Sequence, residues 1–285
     1  MKILLIGATG QLGGDLLRNN PGYEIVSPGR EQLDLARPGA GVRAVSEHRP
    51  ETVINCAAFH NVPKCEEEPA QAFLINCVAV RDLAAACAAH GARFVTFSSD
   101  YVFGGLRSEP WREDDKPAPL QIYGITRLAG EHAALAAAPE HALVIRTCGL
   151  YGRSGARSKG GNFVDGRVAD ARAGRRVEMA SEQVVAPTST DDLSLAVYRL
   201  LSKAPPPGIY HLVNEGACSW YEFTREIVHL ASGTSEVVPV DRGGRTGAML
   251  RPRYSVLANV KARSLGVELP PWRDALERYM RQKYG

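Results

Sequence analysis

No run of 18 apolar residues occurs in this chain of 285, so no membrane-spanning helix is expected. The opening MKILLIGATG reaches glycine after a very short apolar run and lacks the core of a signal peptide, which leads us to expect a cytoplasmic protein. No Cys-x-x-Cys pair is present. The six cysteines (Cys56, Cys65, Cys77, Cys87, Cys148 and Cys218) are scattered, so free thiols acting as small core residues are expected. Cys56, His60 and Cys65 lie close in sequence, but a zinc site needs a fourth ligand and usually tighter spacing, so no metal is expected. Charge of one sign is also lacking. A net +3 is too small for a nucleic-acid surface, though it allows a local basic pocket for an anionic ligand. Internal repeats and low-complexity tails are absent. What remains is an ordinary globular composition, 45% hydrophobic and 23% charged, of a length that suits one large domain or two unequal ones.

The N-terminal half alternates. KILLI (2–6) reads as a buried strand running into a glycine turn and a helix start. YEIV (23–26), TVINCAA (52–58), ARFVTFSS (92–99) and ALVIRT (142–147) read as further strands. Between them a long helix is expected from Glu67 to His90, stopped by Gly91, and another over 122–138. Strands alternating with helices mean βαβ units, so the expected class is α/β, a Rossmann-type doubly wound parallel sheet with a smaller C-terminal substrate-binding lobe. Residues 1–150 are the expected dinucleotide-binding domain, and 151–285 mainly the lobe, with some later segments returning to the first. Beyond residue 150 the stretch 154–162 is a polar glycine-rich loop expected to move. PPPG (205–208) precedes a strand IYHLV, Ser219 is placed to cap a helix, 242–255 is a basic loop, and a last helix is expected with Pro271 in its first turn.

Gly7, Gly10 and Gly13 form G-x-x-G-x-x-G between a strand and a helix. A tight turn, close approach of a pyrophosphate and close helix–strand contact each favour a missing Cβ. The helix N-terminus then offers free N–H groups to phosphate. The expected cofactor contacts are Gly7, Thr9, Gly10, Gln11, Leu12 and Gly13 in this loop, and Ala57 and Ala58 after the third strand. Arg30 lies 17 residues after Gly13 with no acid before it, and a guanidinium there suits a 2′-phosphate, which favours NADPH over NADH. Asp34 and Leu35 are expected beside the adenine.

Ser99 ends a strand, where ligands bind in open parallel sheets, and so is placed to hold a carbonyl oxygen. Tyr123 follows 24 residues later, and Arg127 shares its helical face. A phenol with a pKa near 10 works poorly as an acid at neutral pH unless a cation stabilises the phenolate, and that is the role expected of Arg127. Tyr123 and Arg127 are thereby expected at the cofactor as well.

GATGQLG, QLDL, NCAA, SSDYVFGG, YGITRLAGE, RTCGLYG, GGNFV, YHLVN, CSWYEF and RPRYSVL run over nearly the whole chain. With them the sequence resembles the extended short-chain dehydrogenases/reductases, and within these the dTDP-4-dehydrorhamnose reductase family. The resemblance implies NADPH-dependent reduction of the C4 ketone of a nucleotide-linked 6-deoxyhexulose, the last step towards dTDP-L-rhamnose. Ser99, Tyr123 and Arg127 fall on the family's catalytic Ser/Thr, Tyr and Lys. Three places depart from the pattern: Arg127 stands for lysine, Gly149 for a tryptophan, and His60-Asn61 for a smaller pair. These changes keep three alternatives open, namely another nucleotide-sugar 4-ketoreductase, an epimerase, or a non-catalytic NADP-binding regulatory subunit. Asn162, Gln183 and Arg251 are expected to hold the nucleotide half of the substrate through its diphosphate. His60 and Tyr101 are the remaining substrate-side candidates, whereas Trp220 and Tyr221 are expected to pack the lobe core. Some relatives dimerise with a divalent ion at acidic residues. Asp15 lies near such a place, but one carboxylate makes no site, and a homodimer stays an open expectation.

Overall fold

Along β1 (Lys2–Ile6) the side chains of Ile3 and Leu5 enter one core and those of Leu4 and Ile6 another, and all four are buried. A strand apolar on both faces belongs in the middle of a sheet covered by helices on both sides. The computed structural model describes residues 1–105, 107–154, 161–247 and 249–285; residues 155–160 of the polar loop fall outside this set. The strands after β1 are β2 (Glu24–Val26), β3 (Thr52–Asn55), β4 (Arg93–Ser99), β5 (Ala142–Thr147), β6 (Leu150–Tyr151), β7 (Val177–Ala180), β8 (Val184–Val185), β9 (Thr188–Ser189) and β10 (Gly208–His211). Cys218–Ser219, Val237–Val240, Arg245–Thr246 and Met249–Leu250 complete them as β11 to β14. Six of these form one parallel sheet of order β10-β5-β4-β3-β1-β2. The chain leaves β1 for β2 and then crosses to β3 on the other side of β1. That reversal is the topological switch point where open α/β sheets bind ligands.

The helices are α1 (Gln11–Arg18), α2 (Ala40–His48), α3 (Val62–Glu67), α4 (Pro69–Phe73), α5 (Ala79–Ala89), α6 (Ile122–Ala137), α7 (Phe163–Arg172), α8 (Thr190–Ser202), α9 (Trp220–Leu230), α10 (Val260–Ser264) and α11 (Trp272–Tyr284). α1, α8 and α10 cover the Ile3/Leu5 face, and α2, α5 and α6 cover the Leu4/Ile6 face. A third core joins Tyr151 of β6 to Val164, Phe223, Trp272 and Leu276 from α7, α9 and α11. A fourth, with Val102, Phe103, Cys148, Val185 and Val256, lies beyond the carboxyl ends of the strands. The polypeptide after residue 150 therefore returns three times to the large sheet, as α8 and α10 on its face and as β10 on its edge.

Two local expectations need correction. The single helix over 67–90 is broken at Glu68, because a residue before proline is pushed out of the α region and Pro69 starts a new helix. A five-residue π turn, Leu74–Val78, then joins α4 to α5. There Asn76 is turned inward, accepting from Phe59 N at 2.9 Å and donating to Phe59 O at 2.9 Å and Thr126 Oγ1 at 3.1 Å. Pro271 sits one residue earlier than expected, as the extended residue before α11 (ψ 147°). Ser219 caps α9 as expected, with Glu222 returning the bond in a capping box. The stretch Pro69–Ala89 has the length and composition of a spanning helix, but half of it is buried against the sheet and α6.

Candidate active site

Gly7 ends β1 at φ +82°, and a Cβ there would lie 2.9 Å from the backbone nitrogen of Ala57. A Cβ on Gly13 would lie 2.3 Å from Gly7 O. Both glycines are thus demanded by the protein's own backbone, one by turn and contact, the other by helix–strand approach. Gly10 differs. It precedes α1 with an ordinary φ of −82°, and only Gly7 O (3.3 Å) lies near its absent side chain. The rest of that space is left to a ligand at the amino end of α1. Next to it, Gln11 Oε1 and, at the end of β3, Asn55 Nδ2 are buried without a hydrogen-bond partner. Two orphaned polar atoms beside a side-chain-free helix start fit a dinucleotide, which brings both donors and acceptors. Leu12 packs into the core beneath, and Thr9 is exposed.

The other expected cofactor residues separate. Arg30 is largely exposed, its Nε 3.4 Å from Asp34 Oδ2, so these two form one charged corner beyond β2. Leu35 is buried with Leu33 in the core under α2. Ala57 and Ala58 follow β3, half-buried, and Ala57 N donates to Asn55 Oδ1 at 3.1 Å. His60 Nδ1 lies 3.4 Å from Ala58 O.

At the strand ends Ser99 of β4 is paired in register with Thr147 of β5. Tyr123 lies in the first turn of α6, half-buried, and Arg127 follows one turn on, buried. Arg127 Nε donates to Tyr123 Oη at 3.3 Å, and its Nη1 donates to Phe97 O at 3.1 Å. The guanidinium carbon lies 5.4 Å from the centre of the Tyr123 ring. Tyr101 stands edge-on to Tyr123 with ring centres 5.8 Å apart, and its Oη accepts from Arg251 Nη1 at 2.7 Å. Burial pushes the Tyr101 phenol up, and the Arg251 charge partly opposes that. Residues from three distant parts of the chain, Ser99/Tyr101, Tyr123/Arg127 and Arg251, therefore meet in one cluster.

Asn162 and Gln183 do not join it by any bond. Asn162 caps α7, accepting from Asp165 N at 2.9 Å while donating to Gly152 O and Tyr279 Oη, each at 2.8 Å. Its amide is committed to the lobe, and Asn three residues before Asp at a helix start is the signal of such a cap. Gln183 is buried, with Nε2 3.4 Å from Glu182 Oε1. Asp15 is buried, accepting from Arg18 and Thr190, and burial raises its carboxyl pKa. Among the described residues no three His, Cys, Asp or Glu side chains are placed to hold a metal ion. All six cysteines are unpaired; burial pushes the Cys65 thiol up to about 11.

Three features escaped the sequence reading. Buried Gln121 and Thr147 Oγ1 flank the cluster without hydrogen-bond partners. Asp100, next to Ser99, is buried and gathers hydroxyl and thiol donors. Gly149 has φ +54°, and a Cβ there would lie 3.3 Å from the Trp220 ring. Trp220 is wedged between two cores against Phe163, so in this backbone its indole takes the space that a side chain at 149 would need.

A glycine cradle at the switch point and a Tyr–Arg pair at the strand ends define an NAD(P)-dependent reductase on a doubly wound sheet. The chain belongs to the RmlD substrate binding domain family, whose model matches residues 1–284. It is 38% identical over 282 residues to a dTDP-4-dehydrorhamnose reductase of Streptomyces griseus, covering 96% of this chain and 91% of that one. It is 35% identical to the spore coat polysaccharide biosynthesis protein SpsK of Bacillus subtilis, covering 99% and 98%. The crystal structure of dTDP-4-dehydrorhamnose reductase from Bacillus anthracis in complex with NADP superposes with a TM-score of 0.92 at 33% identity, covering 99% of both chains.

Proposed function

We propose that this protein uses NADPH to reduce the C4 ketone of a nucleotide-linked 6-deoxyhexulose, with dTDP-4-dehydrorhamnose as the first substrate to test. The observation that carries the reading is the 3.3 Å bond from Arg127 Nε to Tyr123 Oη at the carboxyl ends of the strands. When bound, the nicotinamide supplies a hydride. The glycine loop and the amino end of α1 hold the pyrophosphate. Arg30 meets the 2′-phosphate, and being exposed it is free to swing to it. Ser99 holds the ketone oxygen, Tyr123 gives that oxygen its proton, and Arg127 stabilises the phenolate left behind. Arg251, with its basic loop, faces the diphosphate of the sugar nucleotide, and residues 151–285 provide most of that half of the site. Adding dTDP-4-dehydrorhamnose to enzyme and NADPH should oxidise one NADPH per sugar. Cofactor binding without oxidation, across a panel of dTDP-4-keto-6-deoxysugars, would instead identify a binding subunit.

The placing of Trp220 beside Gly149 favours one second reading, a 4-ketoreductase for a sugar of different stereochemistry or bulk, because an indole from α9 fills the space that a side chain at position 149 would take. Trp220→Ala should raise KM for the favoured sugar about two- to tenfold, since a stacked aromatic is worth about 0.5–1.5 kcal/mol beyond its buried area. NADPH affinity should be unaffected; an unchanged KM removes Trp220 from the sugar pocket.

Position 127 can be tested in the same assay. Arg127→Lys keeps a cation beside the phenol and should retain reductase activity. Arg127→Met removes the charge and should lower kcat about 10²-fold. Equal activity of the two variants would mean that the charge is not what matters.

A further inference from the structure

Ser99 has one hydroxyl proton, and in this structure it is already engaged: Ser99 Oγ donates to Asp100 Oδ1 at 2.8 Å. One of its two lone pairs is also in use, because Tyr101 N donates to Ser99 Oγ at 3.1 Å. A hydroxyl in that state cannot also donate to a substrate ketone. The other carboxyl oxygen of Asp100 accepts from Ser255 Oγ at 2.6 Å and Cys148 Sγ at 3.1 Å. All of this is buried, and among the described residues no Lys, Arg or His lies within ion-pair distance of Asp100. The titratable groups around it are the Cys148 thiol at the end of β5 and, on its own segment, the Tyr101 phenol with Arg251 beyond.

We propose that Asp100 is a positioning residue that works as a neutral acid, holding its proton on the oxygen that faces Ser99 and thereby turning the Ser99 hydroxyl towards the substrate carbonyl. The proposal rests on the reductase reading above and deepens it. With the proton on Oδ1, Asp100 donates to Ser99 Oγ, Ser99 donates to the ketone oxygen, and Ser255 and Cys148 still donate to Oδ2. Every polar atom in the group keeps a partner. No proton leaves Asp100 in the reaction: C4 gains hydride, its oxygen gains the Tyr123 proton, and NADPH becomes NADP⁺. A buried carboxyl with hydroxyl neighbours and no cation is more cheaply kept neutral than charged. Burial indeed pushes the Asp100 carboxyl above the usual carboxylate range, against the opposing pull of its Ser255, Cys148 and Ser99 bonds.

The test compares Asp100→Ala with Asp100→Asn in the holoenzyme. Loss of the donor behind Ser99 in D100A should lower kcat about 10²-fold, the scale of one missing donor at a developing oxyanion, with little change in KM. In D100N the amide nitrogen can face Ser99 while its oxygen accepts from Ser255 and Cys148, so most of that loss should be recovered. A D100N enzyme as poor as D100A overturns the proposal, since only a charged carboxylate would then suffice. Infrared difference spectra of wild type against D100N at neutral pH should show the C=O band of a protonated carboxyl. Carboxylate bands alone overturn the proposal even if wild type reduces none of the sugars offered, so this arm fails separately from the reductase reading. Should D100N not fold, Ser255→Ala replaces it: removing a bond to Asp100 should shift the protonated-carboxyl band, and a spectrum without that shift overturns the proposal.

Discussion

Tyr123→Phe should lower kcat by about 10²–10⁴-fold while leaving NADPH binding and the fold intact. The phenyl ring keeps its edge-on contact with Tyr101, and among the described residues the hydroxyl's one bond is the one it accepts from Arg127. Arg127 also retains Phe97 O as a partner, so the guanidinium is not stranded. What is removed is the proton donor alone, and the whole loss should fall on the chemical step. In energy it corresponds to about 3–5 kcal/mol of barrier. KM should change little, because a ketone oxygen still has Ser99. Single-turnover NADPH oxidation separates this from slow product release, and an unchanged unfolding curve separates it from damage to the fold. A Y123F enzyme that turned over at the wild-type rate would take the acid role away from Tyr123.

What could be read from the sequence was what is local or repeats at a fixed period. KILLI with glycines behind it, the strands ending in Asn55, Ser99 and Thr147, and Tyr123 one turn before Arg127 on a helix are all visible within windows of a dozen residues. The missed features depend on partners far along the chain. The π turn at Leu74–Val78 exists because Asn76 turns inward to the backbone of Phe59 and to Thr126. The Asp100 group needs Ser255, 155 residues away. Trp220 was read as packing, and it does pack; that it also occupies the space beside Gly149 follows only from the positive φ at that glycine and the placing of α9. Asn162 was read as a diphosphate donor, yet its three bonds tie α7 to α11 and Gly152, and a polar residue at a helix start serves local geometry first.

Glu131→Ala should destabilise the protein by about 3–5 kcal/mol, the usual result of removing one partner from a buried ion pair. Arg146 and Glu131 face each other with both side chains nearly inaccessible, Nε to Oε1 at 2.9 Å and Nη2 to Oε2 at 2.6 Å. Without the carboxylate, the buried guanidinium is left, among the described residues, with two long contacts at 3.5 Å, to Glu113 O and to His211 Nε2, and the Phe103 ring centre 5.1 Å away. His211 offers little relief: burial, then the Arg146 charge, push its pKa down to about 3, so it stays neutral at working pH. Glu131 also accepts from Ser98 Oγ. The pair thus joins α6 to β4 and β5 at residues adjacent to the site: Glu131 lies one turn after Arg127, Ser98 immediately precedes Ser99, and Arg146 immediately precedes Thr147. The distance from Tyr123 and Arg127 to Ser99 is therefore set by this buried tie as much as by the helix itself, and activity should fall in E131A even at temperatures where the protein remains folded. Urea unfolding measures the first effect and kcat below the transition the second. Converting both residues to methionine should restore most of the stability, because an apolar pair of similar volume leaves no unpaired charge. A loss below about 1 kcal/mol in E131A would mean that water or a shifted carbonyl reaches Arg146 and that the tie is weaker than its geometry implies.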